Sequence, residues 1–449
     1  MIPSTRWMRD HFYFKRNPFP LGAILSVGSG EPSESGLIYN PQVNAEDIQE
    51  YIHKFVVIPS IGKGSGFGAL WSLGTRAPTS EARGYGKSSL GLYVTKEVCK
   101  DFGKTLLETN GINEGPQQPF LLASYATFKK QVDTGFNAIA FRHVEWLAQS
   151  QPEWYSESPF QRLRKLVVQS LPATYQPGSS DETEAIINAV KSFRSRDSRF
   201  AGSTLAPLDE GLLEALASPD PFTLISYLKG INPYRMWRNG FVYLDTALTF
   251  AMRAGVSKAI LFVDQIEDFA SPDTPRNKKL KEVERFRDIV KETCPFNSLA
   301  FFIMTMHPRG WNEIKDLWRD ARLADILPVE IGGVRENSGR VKLLREITEL
   351  NDAKRLFESY LQHPEYRLPG APSPLHPWKD EAIQHLREAN GGRAGYMLSH
   401  ARDILDFAAE KNVEVIDEEF VKGTKAKLPE EEKARAPTTG TEEIPRDLK

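Results

Sequence analysis

Arg83-Gly84-Tyr85-Gly86-Lys87-Ser88-Ser89 decides the reading of this chain. Two glycines bracket one residue and lead through Lys-Ser-Ser into an apolar helical pattern. Such a run lets backbone N–H groups turn inward around phosphate oxygens, while Lys87 reaches the outer phosphates and the Ser88 hydroxyl ligates Mg2+. The helix that follows adds its positive N-terminal end. Gly84, Tyr85, Gly86, Lys87, Ser88 and Ser89 are therefore the candidate ATP-phosphate residues, with Ser88 a metal ligand. The full spacing, Gly-x4-Gly-Lys-Ser/Thr, would put its first glycine at position 81, where the chain has Glu81. Gly74 lies too far upstream to replace it without a loop excursion, so a second element must decide.

That element is Lys258-Ala-Ile-Leu-Phe-Val-Asp264-Gln265-Ile266-Glu267-Asp268. A strand-length apolar run ending in acids reads as a buried parallel strand that presents carboxylates at its C-terminal edge. Asp264 is the candidate Mg2+ carboxylate. The residue after it is Gln265, and an amide cannot act as a general base. Glu267 falls on the same face as Gln265 if the extended backbone continues that far, which makes it the candidate base. ATPase turnover is then expected to be weak, because Gln265 stands where hydrolysing relatives carry glutamate. Ser298-Leu-Ala-Phe-Phe-Ile-Met304-Thr305-Met306-His307 is a further strand, separated from the acidic one by a charged helix over 277–292. Thr305, ahead of His307, is the candidate contact to the attacking water or terminal phosphate. Arg319 and Arg322 end a helical stretch before Pro328-Val329-Glu330, either as a solvated face or as groups reaching a neighbour's nucleotide.

The order of phosphate loop, acidic strand, polar-ended strand and pre-strand arginine resembles the AAA+ ATPases, and within them the branch of origin-recognition and DNA-transposition ATPases. Val341–Leu344 before Leu350–Leu361 looks like the last core strand and first lid helix of that family. Asn390-Gly391-Gly392-Arg393-Ala394-Gly395 resembles the Gly-x-Pro-Arg sensor-two motif, with Gly392 where proline is usual. The likeness implies that Arg393 touches the γ-phosphate and that Arg322, with Arg319 in reserve, acts across a subunit boundary. Asn239 to Gly255, feeding the acidic strand, resembles the ATP-binding proteins of BREX-like phage-defence systems. His11-Phe-Tyr-Phe-Lys-Arg-Asn17-Pro18-Phe19 is similar to the Asn-Pro-Phe segment that helps to form the adenine pocket in such ATPases. A turn with an aromatic anchor reads it equally well.

The fold class implied is α/β: a P-loop NTPase (AAA+/ASCE-like) parallel sheet flanked by helices, with a large helical insertion and a C-terminal helical lid. The expected organisation is an N-terminal segment over 1–68, a nucleotide-binding core over 69–344 with the insertion at about 136–235, a lid over 345–422, and a disordered polar tail over 423–449. The first strand is read as 69–73 and the second as 120–126. Gly62-Lys-Gly-Ser-Gly-Phe-Gly68, which precedes the first strand instead of leaving it, is read as a flexible connection. Within the insertion, Arg162, Arg164, Lys165, Lys191, Arg194, Arg196 and Arg199 form either a DNA or partner surface or a solvated charged face. Interleaved acids favour the second.

Composition bounds the rest. The 449 residues exceed one small domain. Lys plus Arg is 57 against 59 for Asp plus Glu, a net charge of −2, so no global basic field advertises nucleic acid. Two cysteines, Cys99 and Cys294, fit a reducing, cytoplasmic location. No apolar run approaches the roughly 20 residues that span a bilayer. Too little follows the lid for a winged-helix DNA-binding domain. The function expected is an ATP-binding AAA+ ATPase subunit that couples nucleotide binding and hydrolysis to assembly with itself or a partner effector. DNA is left open as a partner, and a defence or mobile-element system as the setting. The alternative is a nucleotide-gated scaffold that scarcely hydrolyses ATP; a small-molecule P-loop kinase is a weaker third.

Overall fold

The computed structural model describes residues 3–22, 31–36, 38–62, 66–72, 84–112, 119–128, 135–150, 155–172, 182–201, 203, 207–266, 269, 275–305, 308–323 and 341–424. Five strands form one parallel sheet: β1 (Gly66–Ser72), β2 (Leu121–Thr127), β3 (Lys258–Asp264), β4 (Ala300–Thr305) and β5 (Val341–Leu344). Their order is β2-β3-β4-β1-β5. Leu70 pairs with Thr305, Val263 with Met304 and Thr127 with Asp264, so the polar ends of three strands lie along one carboxyl edge beside β1. The chain leaves β1 toward β2 on one side and returns from β4 to β5 on the other. A crevice opens at such a reversal.

Buried apolar runs dictate these strands. All seven residues of β3 are buried, as a strand covered on both faces requires. β1 begins at Gly66, three residues before the predicted 69, and this corrects the reading of the whole glycine run as a flexible connection. A Cβ at Gly66 would lie 2.4 Å from the Phe301 ring and one at Gly68 2.6 Å from Phe55. The glycines are strand residues that make room for aromatic rings packed across them.

Before the sheet come α1 (Pro3–Asp10), α2 (Pro32–Ser35), α3 (Ala45–Ile52), a π-helical turn (His53–Val57) and α4 (Ile58–Ile61). After β1 follow α5 (Lys87–Asp101) and α6 (Lys104–Thr109). Between β2 and β3 lie α7 (Phe136–Ala148), α8 (Pro159–Gln169), α9 (Glu182–Arg196), α10 (Glu210–Ala217), α11 (Pro221–Gly230) and α12 (Pro233–Arg253). α7 packs on β2 and carries α12 on its outer side, so the helices extra to the layered core are α8 to α11. Local signals bound them: Ser158 and Gln161 form a reciprocal capping box on α8, and Asp209, Asp220 and Asn232 cap α10, α11 and α12. α13 (Arg276–Glu292) and α14 (Pro308–Asp320) flank β4.

The basic side chains of the insertion are largely neutralised where they stand. Arg164 pairs with Glu182, Lys165 with Glu157, Lys191 with Glu210, Arg199 with Asp197, and Arg194 with the buried Asp245 of α12 at 2.9 Å. Arg162 lies over the Phe102 ring at 4.2 Å. These partners answer the charge internally, which favours the solvated-face reading over a nucleic-acid surface.

The lid comprises α15 (Leu350–Leu361), α16 (Asp380–Ala389), α17 (Ala394–Glu410) and α18 (Glu418–Thr424). It has its own apolar core, and the N-terminal segment completes it: Met8, Phe12, Phe14, Phe19 and Ile38 pack with Phe357, Trp378, Met397 and Leu405. Ile48, Tyr51 and Phe55 join the sheet core instead. The first sixty residues thus strap lid and sheet together. Among the described residues, no helix is long and apolar enough to cross a membrane.

Candidate functional site

One cavity of about 560 Å3 lies between the carboxyl edge of the sheet and the lid. Gly84 to Ser89 line it from one side, and Tyr125, Thr127, Asp264, Gln265 and Thr305 from the strand ends. The lid contributes Gly392, Ala394, Gly395 and Leu398, and the N-terminal segment contributes Pro20, Ile38, Tyr39 and Ile48. The volume falls within the roughly 300–1,000 Å3 of small-molecule sites, and an apolar wall facing a polar edge is their usual lining.

The loop is held by backbone geometry. Gly84 and Gly86 have φ of 79° and 87°, a left-handed region costly for other residues, and Gly86 is the N-cap of α5. Lys87, Ser88 and Ser89 therefore form the first turn of α5, where the positive end of the helix dipole favours an anion. The lid reaches this loop directly: the Gly395 N–H donates to the Gly84 carbonyl at 2.8 Å. Glu81 and Gly74, and with them the upstream half of the phosphate motif, lie outside the described residues.

Asp264 ends β3 with both carboxylate oxygens engaged. The Tyr125 hydroxyl donates to Oδ2 and the Thr305 hydroxyl to Oδ1. The Ser88 side chain approaches the same Tyr125 hydroxyl. Thr305 is buried, and its Oγ1 also accepts the Gln265 N–H at 3.0 Å. Burial first, and then the neighbouring Asp264 charge, push the Tyr125 phenol well above its ordinary range, so it stays a donor at any physiological pH.

The extended backbone does not continue past Asp264. β3 stops at Asp264, and Gln265 has φ 58°, so the strand alternation that would put Glu267 on the face of Gln265 does not continue. The chain instead turns, with Phe269 N–H donating to the Ile266 carbonyl at 3.0 Å. Glu267 and His307 lie outside the described residues.

Neither Arg393 nor Arg322 is itself a lining residue, though Arg393 sits between two that are, Gly392 and Ala394, with its charge near Tyr85 of the loop. Arg393 is the N-cap residue of α17, with its Nε donating to the Asn390 carbonyl at 3.2 Å and its guanidinium 4.1 Å from the centre of the Tyr396 ring. Arg322 follows α14, exposed and left-handed at φ 56°. Arg319 is engaged by Asp316 and Asp320 of its own helix. Gly392 explains the departure from the Gly-x-Pro-Arg pattern: its φ is 66°, whereas proline is confined near −65°.

Asn17-Pro18-Phe19 is a turn with an aromatic anchor. Asn17 Oδ1 accepts the Phe19 N–H, while Nδ2 donates to the Arg402 carbonyl and the Asp406 carboxylate at 3.0 and 2.9 Å. The Phe19 ring is fully buried against Phe357 and Trp378, and the next residue, Pro20, lines the cavity. The cavity also takes lining residues that the sequence did not single out, Tyr125, Tyr39, Asp47 and Arg345 among them. Nothing within β2 itself marks Tyr125, because the adjacent Ser124 is an equally buried polar residue of the same strand.

No family model matches the sequence, and no curated protein matches it. Among solved structures, the chain is similar to the ORC2 protein of Aeropyrum pernix, solved as ADPNP–ADP complexes, with 10% identity and a TM-score of 0.41 over 94% of this chain and 75% of that one. By its own topology the chain is α/β: a five-stranded parallel sheet flanked by helices, with a phosphate-loop segment and a C-terminal helical lid, the arrangement of a P-loop NTPase.

Proposed function

We propose that this chain is an ATP-binding ATPase subunit of AAA+ type whose nucleotide state governs assembly with itself or a partner effector. The observation that carries the proposal is the convergence of the Gly84–Ser89 loop and the Asp264 carboxylate on one cavity roofed by the lid. In this reading the α5 N-terminus and Lys87 hold the phosphates, and the apolar wall from the N-terminal segment takes the base. The residues suit Mg2+: Ser88 and Asp264 supply one hydroxyl and one carboxylate around a shared Tyr125 hydroxyl, and Mg2+ commonly takes one or two carboxylates together with substrate phosphates. When bound, the ion would neutralise charge on the phosphates. Thr305 orients Asp264, and the lid contact through Gly395 supports coupling of nucleotide uptake to lid position. Arg393 and Arg322 are assigned to a nucleotide-bound and an assembled state, since neither lines the cavity of a single chain.

The motifs that resemble AAA+ ATPases support a role beside a partner effector, the two cysteines support a reducing, cytoplasmic setting, and the 239–255 run suggests a defence system as the narrower one. Calorimetry of the full chain with Mg·ATP tests the core of the proposal: micromolar uptake supports it, and no heat at any accessible concentration sinks it. The second reading, a nucleotide-gated scaffold, is favoured by one observation: the group directly after Asp264 is the amide of Gln265, on a turned backbone. Tight uptake without phosphate release would select that reading.

A further inference from the structure

We propose that Tyr125 is a positioning residue of this site, its hydroxyl tying the Asp264 carboxylate to the Ser88 hydroxyl so that both are set for uptake of Mg2+ with the nucleotide. The inference rests on the nucleotide reading of the cavity. Tyr125 is one of two buried polar residues in the middle of β2, among Leu121, Leu122, Ala123 and Ala126; the other, Ser124, meets His143 of α7. Burying a hydroxyl without a partner costs roughly 1–3 kcal/mol in proteins, so the partner of Tyr125 matters. That partner is the one carboxylate assigned to the metal, 139 residues away in sequence.

The ring has little freedom. It stacks on Phe262 of the neighbouring strand with centroids 5.1 Å apart and planes at 12°, and it touches Trp146 of α7 at 5.8 Å. Its hydroxyl is therefore placed by packed core and not by a loop. Thr305, on the opposite flank of β3, takes the other carboxylate oxygen. Two hydroxyls from β2 and β4 thus prevent the Asp264 carboxylate from rotating, and the first reaches on to Ser88 of the phosphate loop. A carboxylate oriented before the ion arrives spares that ordering on binding.

The test is Tyr125→Phe in the full chain, which deletes the hydroxyl and keeps the ring. A fluorescent ATP analogue (mant-ATP) is titrated in EDTA and then against Mg2+. The expected result is an Mg2+ midpoint raised at least fivefold with metal-free affinity unchanged within twofold. In an Asp264→Asn background the same substitution should shift the midpoint by less than twofold, because the group that it positions is gone. An unchanged midpoint, or an equal loss in EDTA and in Mg2+, overturns the role of Tyr125. Absence of mant-ATP uptake by the unaltered chain overturns the nucleotide reading and this inference with it. Should Y125F lose its cooperative melt, Phe262→Leu loosens the ring while leaving every polar atom. It must then raise the midpoint at least twofold, and an unshifted midpoint sinks the idea.

Discussion

Replacing Gly392 by proline, the residue usual at that place in the motif that the chain resembles, is expected to disrupt the lid. Gly392 is buried with φ 66°. Its N–H donates to the Arg387 carbonyl at 2.8 Å, and its carbonyl accepts the Ile347 N–H at 2.8 Å. A Cβ there would lie 2.4 Å from Ile347 O and 2.9 Å from Ile347 N, backbone atoms that cannot swing aside. Gly392→Ala incurs about 1–2 kcal/mol for the left-handed conformation and about 1–3 kcal/mol for overpacking, so a loss of about 2–5 kcal/mol is expected. Proline adds loss of the Arg387 bond, about 1 kcal/mol, and cannot reach the required φ at all. G392P should therefore be the more destabilised of the two, by at least about 1 kcal/mol. Urea titration followed by tryptophan emission, with buried Trp378 reporting on the lid, gives the numbers. If G392P were within 1 kcal/mol of the unaltered chain, the account of why this motif departs from its relatives would be wrong.

Lys87→Ala should weaken Mg·ATP uptake by roughly ten- to a hundredfold in calorimetry, the equivalent of losing a charged hydrogen bond of about 1.5–3 kcal/mol. Phe19→Ala empties a site bounded by Phe357, Tyr360 and Trp378. It should cost about 3–5 kcal/mol by urea titration and weaken nucleotide uptake as well, because Pro20 follows it into the cavity. Gln265→Glu is expected to raise phosphate release at least tenfold with affinity little changed, since general-base assistance contributes about 10²–10⁴-fold; an unaltered rate would exclude Gln265 as the reason for weak turnover. Burial pushes the His143 imidazole down to about 3, with Nδ1 2.8 Å from the Ser124 hydroxyl. The unfolded chain therefore binds the extra proton first. Stability from this group is complete above the unfolded value of about 6.5 and declines as pH falls from there toward 3. His143→Gln lacks that dependence, so its urea midpoint should fall less steeply than that of the unaltered chain between pH 7 and 4.

Local physics made much of the fold readable. β3 and β5 begin and end where the apolar runs do, and α15 spans 350–361 as its periodicity requires. The insertion helices start at local caps, Ser158, Asp220 and Asn232 among them, although from sequence the insertion was bounded only as a whole. β1 was less legible because its first residues are glycines, whose strand role depends on Phe301 and Phe55 lying across them. In the candidate site, Asp264 and Thr305 were nameable as polar ends of apolar runs. Tyr125 was not, since nothing within β2 announces a partner on another strand. The condition attached to Glu267, that extended backbone continues past Asp264, is not met, because Gln265 turns the backbone; Glu267 itself lies outside the described residues.

The sequence by itself determined which segments are strand or helix, where charge and glycine interrupt them, and which residue types are equipped for phosphate and metal. Periodicity, capping and backbone permissiveness act within a few residues, and so they can be read in a line. Only the tertiary structure decided that β4 lies between β1 and β3, that residues 8 to 19 belong to the core of a lid nearly four hundred positions away, and that Arg164 and Arg194 meet acids instead of facing a polyanion. Those outcomes depend on which distant surfaces can be buried together and which buried polar groups must find partners, conditions met by the whole chain at once.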